Sequence, residues 1–274
     1  IDKFNFSSDG NATDVGDLVN TTSTGSGQSS ETQGYVSGGI SSASIQKFPF
    51  ASDANASYTG GHDLTVTRGY VAGQSSSVSG YASGGTPPSS GNNTIDKFSF
   101  ASTAAATDVG DLSFARGKAG GQSSTENGYT SGGNDYVDNI DKFPFSSDAN
   151  ATDVGNLTSP LGYTGGQSSD VSGYVSSGLH PPTFEGNLNA TRIEKFPFSS
   201  DANATDVGDL TQRRFGAAGQ SSRTHGHTSG GQESGASPPQ RRDTMDKFTF
   251  SSDANSTDVG DLTQARSYAT GQQV

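Results

Sequence analysis

The chain contains no cysteine and no tryptophan, and only one of its 274 residues is methionine. Without cysteine it can form no disulfide, no thiolate metal site and no cysteine nucleophile. Leucine, isoleucine, valine and phenylalanine make up only about 16% of the residues, a fraction that favours disorder when such residues are scattered. Here they recur at fixed positions of a repeat, and the net charge of −12 is small for this length. We therefore expect a folded chain.

Long apolar runs are also missing. No segment approaches the roughly 18 residues that a membrane-spanning helix needs, and no signal-peptide pattern is visible, so we expect no membrane insertion. Acidic residues outnumber basic ones by 28 to 16, and because phosphate binding needs a basic face, nucleic acid is not an expected partner. The chain starts at Ile1, partway through a repeat and without an initiator methionine, which suggests processing or a fragment.

The chain does contain one sequence motif that occurs six times. Its clearest copy runs from Glu194 to Leu210 and reads EKFPFSSDANATDVGDL. The copies start at positions 1, 45, 95, 140, 193 and 245, so the periods are 44 to 53 residues. Apolar residues do not recur at helical spacing, and periods of about 40 to 50 residues with a Gly-Gly pair are typical of β-propeller blades. The sequence predicts one repetitive domain over residues 1–274.

Four short strands fit into each period, and we name them a, b, c and d in the order in which they would cross a blade. Examples are GGQSS at 165–169 for a, SGYVSSG at 172–178 for b, IDKFPF at 140–145 for c and ATDVGNL at 151–157 for d. The small residues of strand a suit the innermost strand, where blades crowd around an axis. The phenylalanines of c and the Val and Leu of d would fill the space between blades, so stability would come from blade-to-blade packing.

The two ends of the chain suggest how the ring closes. Six c–d pairs are present, but only five b strands, near Tyr35, Tyr81, Tyr129, Tyr174 and His227. The chain begins with strand c and ends within strand a. We therefore predict an all-β, six-bladed propeller with four-stranded antiparallel blades. Its ring would close by pairing of the N-terminal strands with the C-terminal strand, in a mixed blade that lacks strand b.

The order Gly-Gly, aromatic strand, Asp/Asn turn and V-x-x-L-x-x-x-R resembles the kelch repeat. The arginine follows the leucine by four residues in four copies, as Arg68, Arg116, Arg214 and Arg266. Thr22 and Leu161 replace it in the other two. Kelch blades usually carry tryptophan where this chain has valine, so the likeness is to a divergent kelch-like propeller.

The sequence motifs FPFxSDxNATDVGDL, GQSS and GYxSGG are also similar to repeats in virion proteins from tailed phages of marine cyanobacteria. That resemblance implies a tail fibre or another virion-surface protein, with an extracellular location and other virion proteins as partners.

The Asp/Asn turn between strands c and d has two interpretations. Asp201, Asn203, Asp206 and Asp209 offer oxygens that Ca²⁺ prefers, but the spacing matches an EF-hand loop only loosely and lacks its bidentate glutamate. The other interpretation is a capped turn, which the third copy favours because Ala105 replaces the asparagine there. The turn also matches the glycosylation sequon, a match that the turn itself explains. We expect no metal and no cofactor.

Catalytic residues are not expected either. The four histidines fall at different phases of the repeat, apart from the pair His225 and His227, which has no evident third metal ligand. Serine and aspartate are so common that a Ser-His-Asp set could be drawn on this chain by chance. The sequence therefore predicts a protein that is not an enzyme.

The connections between strands b and c vary most in length, from 5 to 14 residues. In a four-stranded antiparallel blade, the b–c and d–a loops emerge on the same face, and rigid scaffolds often place recognition there. Arginine and aromatic side chains are frequent anchors in binding sites, and arginine suits carboxylate or sulfate groups. The candidate binding residues of this rim are His180, Phe184, Arg192, Arg213, Arg214, Arg241 and Arg242. Unselected drift in surface loops would give the same pattern.

These observations lead to three hypotheses, of which we prefer the first. The first is a non-catalytic structural and adhesion module, a phage tail fibre or related virion-surface protein, whose variable loops recognise a host-surface glycan or protein. The second is a secreted or cell-surface propeller enzyme that acts on polysaccharide, which would require paired acidic residues in the central channel. The third is a purely architectural decoration protein that contacts other virion proteins.

Overall fold

The computed structural model describes residues 1–20, 22–87, 91–134, 136–182, 190–234 and 240–272, and its regular structure consists of β-strands. The strands form antiparallel sheets arranged as the blades of a β-propeller. The prediction of an all-β propeller is confirmed. No helix within the described ranges is long and apolar enough to cross a membrane.

Five sheets form the blades: four have the spatial order a–b–c–d, and the three-stranded sheet of blade 1 has the order a–b–c. Blade 1 comprises β3 (Ser26–Ser29), β4 (Gln33–Ser37) and β5 (Ile45–Pro49). Blade 2 comprises β6 (Ala72–Ser75), β7 (Ser79–Ser83), β8 (Asn92–Ser99) and β9 (Thr107–Arg116). Blade 3 comprises β10 (Gly120–Ser123), β11 (Asn127–Ser131), β12 (Asn139–Pro144) and β13 (Thr152–Asn156).

The chain continues through two more blades of four strands. Blade 4 comprises β14 (Gly165–Ser168), β15 (Ser172–Ser176), β16 (Arg192–Pro197) and β17 (Thr205–Asp209). Blade 5 comprises β18 (Ala218–Ser221), β19 (His225–Ser229), β22 (Thr244–Thr249) and β23 (Thr257–Asp261). Two small sheets lie outside the blades: β1 (Asp2–Lys3) with β2 (Thr13–Asp14), and β20 (Gln232–Glu233) with β21 (Gln240–Arg241).

Strand a is innermost, as its small residues predicted. The glycine before each glutamine of this strand touches the same glycine of the neighbouring blade: a Cβ on Gly121 would overlap the carbonyl oxygen of Gly73, and one on Gly166 that of Gly121. Any larger residue would push two blades apart. The glycine before the glutamine therefore sets how closely the blades approach the axis.

The apolar core is divided into clusters that each span two neighbouring blades. One cluster joins Tyr129 and Ile140 of blade 3 to Val175 and Phe196 of blade 4. Its equivalents recur around the ring. Because a blade buries its apolar side chains against its neighbour, a chain with few of them can still form a solid ring.

Hydrogen bonds and ion pairs on the outside of the ring also join neighbouring copies of the repeat. In the five copies whose turn contains asparagine, the side-chain oxygen accepts a hydrogen bond from a backbone N–H of the preceding copy, as Asn150 does from Asp111 at 3.0 Å. The turn aspartate pairs with the strand c lysine of the preceding copy, as Asp148 does with Lys97 at 3.0 Å. Of the four candidate calcium ligands, Asp201 pairs with Lys142 and Asn203 accepts from the Asn156 N–H, both in the preceding copy. Asp206 accepts from the Gly208 N–H, and Asp209 accepts from the Thr191 hydroxyl. Ala105 occupies the asparagine position in the third copy.

The prediction of six blades is wrong, because the structure has five. The first copy of the repeat forms only the two-stranded β1–β2 sheet, which we call the closing sheet, between blades 5 and 1. The hydrogen bond from the Ala12 N–H to the Asp261 carbonyl, at 2.8 Å, joins it to blade 5. On its other side the Ala56 N–H donates to the Asp17 carbonyl at 2.8 Å.

The predicted pairing of the N-terminal strands with the C-terminal strand is also wrong. Residues 268–272, which we call the C-terminal segment, continue the inner wall of the ring. The hydrogen bond from Gln272 Nε2 to the Tyr35 carbonyl, at 3.1 Å, fixes them against blade 1. In the described residues β1 has no ladder with this segment. The physical reason is spacing, because the position of one omitted strand leaves a gap of roughly 9 to 10 Å, too wide for a hydrogen bond.

Candidate functional site: the loop face

The b–c and d–a connections meet at one end of the ring, which we call the loop face. Backbone bridges join them in three blades: Gly69 with Thr86, Gly162 with Leu179, and Phe215 with Gln232. These bridges give the loop face a fixed backbone floor. They are the geometry expected of antiparallel blades, in which both loops leave the sheet at the same end.

Arg214, one of the seven residues predicted for the rim, lies inside the protein. Its guanidinium is fully buried, 2.9 Å from a carboxylate oxygen of Asp246, and also donates to the carbonyls of Thr228 and Thr244. Burial lowers the pKa of Arg214, and the charge of Asp246 opposes that shift. Arg214 therefore joins two elements of the scaffold and presents no exposed group to a ligand.

The same ion pair recurs around the ring. Arg68 pairs with Asp96 and Arg116 with Asp141, each at 3.1 Å and with both side chains fully buried. Arg266 reaches Asp2 of the closing sheet at 3.4 Å. In the two copies that lack the arginine, the residue at the position of its aspartate partner differs as well. Thr22 replaces the arginine where Gln46 replaces the aspartate, and Leu161 replaces it where Glu194 replaces the aspartate. This repeated arginine is thus a structural element of the scaffold.

His180 and Arg192 lie together on blade 4. The His180 ring is buried, with Nδ1 3.3 Å from the Pro160 carbonyl and Nε2 3.3 Å from Arg192. Burial, followed by the charge of Arg192, lowers the pKa of His180, so the ring is neutral at pH 7. Arg192 also donates to Thr158 and Ser159. Phe184 lies outside the described residues.

The three other predicted arginines belong to the loops of blade 5. Arg213 and Arg241 are exposed, and Arg241 lies at the end of the β20–β21 hairpin. Arg242 is half-buried and forms an ion pair with Glu233 at 2.7 Å. The predicted rim therefore comprises one polar group on blade 4 and exposed cations on blade 5.

Sequence reasoning missed a cluster at the centre of this face. Tyr70, Tyr163 and Tyr268 surround the axis with ring centroids 5.7 to 5.8 Å apart. The Lys118 ammonium lies 4.8 Å from the Tyr163 ring and 5.6 Å from the Tyr70 ring. All four side chains are half-buried. We call these residues the axial cluster.

The backbone beneath the axial cluster is a closed circle of hydrogen bonds. Six residues at the same phase of the repeat each donate an N–H to the carbonyl of the preceding one, with lengths of 2.5 to 3.0 Å. The six are Thr24, Tyr70, Lys118, Tyr163, Gly216 and Tyr268. All have φ between +55° and +66°, a left-handed conformation that costs non-glycine residues about 1–2 kcal/mol each. The side chains are thus held over the axis in spite of backbone strain.

The chemistry of the axial cluster is that of a shallow amphipathic platform. Burial raises the pKa of Tyr268 and, in smaller measure, that of Tyr70, so both phenols stay protonated at neutral pH. The Tyr268 hydroxyl accepts a hydrogen bond from Gln232 at 3.0 Å. A small cavity of about 70 Å³ opens between the rings. One signal could have located the cluster: each of its members stands four residues before the glutamine of strand a, where the fifth copy has glycine.

The central channel below the cluster is narrow, with a volume of about 100 Å³. Glycine, alanine, serine, threonine and one valine line it, and none of the described lining residues carries a carboxylate. Across the described ranges, no group of three or more histidine, aspartate or glutamate residues is placed to hold a metal ion. The features that the structure brings together at this end of the ring are therefore aromatic rings and cations.

A scan of the chain against models of known protein families gave no match, and a search of curated proteins gave none either.

Proposed function

We propose that this β-propeller is a non-catalytic structural and adhesion module of a virion surface, a tail fibre or related protein, that recognises a host-surface glycan through its loop face. The observation that carries the proposal is the axial cluster, in which three tyrosines and a lysine are held in a strained backbone at the centre of that face. Strain of this kind concentrates at functional positions. The similarity of the repeats to those of cyanobacterial-phage virion proteins supports the biological setting.

The cluster has the chemistry that a sugar requires. A tyrosine ring offers an apolar face to the C–H groups of a pyranose, and its hydroxyl can bond a sugar hydroxyl at the edge. Lys118 would attract a carboxylate or sulfate substituent, and the exposed Arg213 and Arg241 extend the positive charge across the face of an otherwise acidic protein. An acidic polysaccharide is therefore the ligand class that fits best.

Glycan-array and whole-cell binding would test the proposal. Tyr163→Gly and Lys118→Gly keep the left-handed backbone, since Gly216 occupies the same position in blade 5, and each should weaken binding at least about tenfold. Tyr136→Gly is the matched control, because Tyr136 also has a positive φ of 52° but lies outside the axial cluster. Its binding should stay unchanged.

Other outcomes decide between the alternatives. Equal binding by Tyr163→Gly, Lys118→Gly and the native protein would contradict recognition by the axial cluster. A second comparison, with the 179–192 and 232–244 loops shortened, would then show whether the rim binds instead. Cleavage of the polysaccharide would indicate the enzyme alternative. Binding to other virion proteins without binding to cells or glycans would indicate the architectural one.

A further inference from the structure

One residue distinguishes the contact between blade 5 and the first copy of the repeat from four equivalent contacts around the ring. In those four, a tyrosine of strand b packs against the two strand c phenylalanines of the next copy. Tyr129, for example, lies 5.5 Å from Phe196 and 4.8 Å from Phe198 between ring centroids. In blade 5 the tyrosine position holds His227. A side chain that can gain a positive charge thus replaces four that cannot.

The imidazole of His227 is enclosed between blade 5 and the first copy. Its ring centroid lies 5.3 Å from that of Phe4 and 5.0 Å from that of Phe6, and the residue is 2% exposed. Among the described residues Nδ1 has no hydrogen-bond partner. These surroundings suit the neutral ring, because a charged ring would lose its hydration there without gaining a hydrogen bond. We call the contact of Phe4, Phe6 and His227 the His227 interface.

The charged groups around His227 do not stabilise an imidazolium. His225 lies on the same strand, Lys247 lies opposite His227 on strand c, and the strand a partner is the uncharged Gln220. The first copy contributes Asp9, which is already paired with Lys247. Burial, followed by the charges of His225 and Lys247, lowers the pKa of His227 to about 4, and Asp9 opposes that shift only in part.

Main-chain hydrogen bonds fasten the first copy to blade 5 and have counterparts at the other contacts. The Ala12 N–H donates to the Asp261 carbonyl at 2.8 Å, as the Ala151 N–H donates to the Asp111 carbonyl at 2.7 Å between blades 2 and 3. The contact between blades 2 and 3 carries tyrosine and no histidine. The amides of Ala12 and Ala151 therefore compare two contacts that differ in the residue that can be protonated.

We propose that the His227 interface is an acid-sensitive switch: when His227 takes up a proton, its ring leaves Phe4 and Phe6, and the closing sheet separates from blade 5 while blades 2 and 3 stay packed. His62, which is buried against Phe98, is a second histidine at a contact between blades, but Tyr35 retains the aromatic contact there. This inference goes beyond the proposed glycan binding and does not depend on it.

Hydrogen exchange followed by NMR measures the opening of each contact. Because the open state takes up a proton near pH 6.5 and the closed state only near pH 4, the opening equilibrium should rise about twentyfold between pH 7 and pH 5. The protection factor of the Ala12 amide should fall by that factor, and that of Ala151 by less than about twofold. At pH 5 the ordinary pKa values of aspartate and glutamate, about 3.9 and 4.3, have not been reached.

Two variants that copy other blades isolate the histidine. His227→Tyr supplies the residue of the other four blades and should keep the Ala12 protection factor equal at pH 7 and pH 5. His225→Asn copies Asn127, which holds the same position in blade 3, and is the matched control; its Ala12 protection should still fall at least about tenfold.

Three results would overturn the proposal. The first is an Ala12 protection factor that does not change between pH 7 and pH 5 in the native protein. The second is an equal fall in His227→Tyr, which would mean that another group responds to the acid. The third is an equal fall at Ala12 and Ala151, which would indicate unfolding of the whole ring and not a local switch.

Discussion

Replacement of Arg116 by threonine removes one half of a buried ion pair and tests what holds neighbouring blades together. Arg116 and Asp141 are both fully buried, 3.1 Å apart, and Ser113 supplies the other hydrogen bonds to the carboxylate. Loss of one partner leaves an uncompensated buried charge. We expect Arg116→Thr and Asp141→Gln each to lower the free energy of unfolding by about 3–5 kcal/mol.

The chain itself supplies the matched double variant. Thr22 of the first copy and Gln46 of blade 1 occupy the equivalent positions, so Arg116→Thr combined with Asp141→Gln copies an arrangement that the fold already accepts. Because the double variant has no unpaired charge, its loss should be smaller than the sum of the single losses by at least about 2 kcal/mol.

Urea unfolding followed by circular dichroism at pH 7 would measure this coupling. The exposed pair Lys97 and Asp148, 3.0 Å apart, is the control, and its coupling should stay below about 1 kcal/mol. Additivity of the Arg116 and Asp141 losses within about 0.5 kcal/mol would refute the argument that these charges depend on each other.

Three further substitutions test other parts of the scaffold. Burial lowers the pKa of His227 to about 4, below the unfolded value near 6.5. The free energy of unfolding should therefore fall by up to about 3 kcal/mol as the pH drops from 6.5 to 4. His227→Tyr should remove that part of the pH dependence in urea titrations. Burial raises the pKa of Glu194, so Glu194→Gln, which copies Gln46, should raise the melting temperature at pH 7, and an unchanged or lower value would contradict this. Asn150→Ala, which copies Ala105, should lower the free energy of unfolding by about 1 kcal/mol in the same urea assay because the hydrogen bond from the Asp111 N–H is lost. No change would mean that this hydrogen bond does not stabilise the fold.

The buried arginines show where sequence patterns mislead about a site. Arg213 and Arg214 are adjacent and look equally suited to a binding rim, yet one is exposed and the other is fully buried. The difference depends on Asp246, which lies about 30 residues away along the chain and meets Arg214 only after the blades pack. Comparison of the copies could have revealed the pair, because glutamine or glutamate replaces aspartate where the arginine is missing.

The sequence by itself determined the β-propeller class, the order of strands a to d and the small inner strand. These follow from local spacing of glycine, aromatic and turn residues, which each copy repeats. Only the tertiary structure decided the number of blades, the closing sheet and the axial cluster. The physical reason is that these features depend on residues distant in the sequence. The ends of the chain meet only across the ring, and the tyrosines converge only because six left-handed turns bond in a circle around its axis.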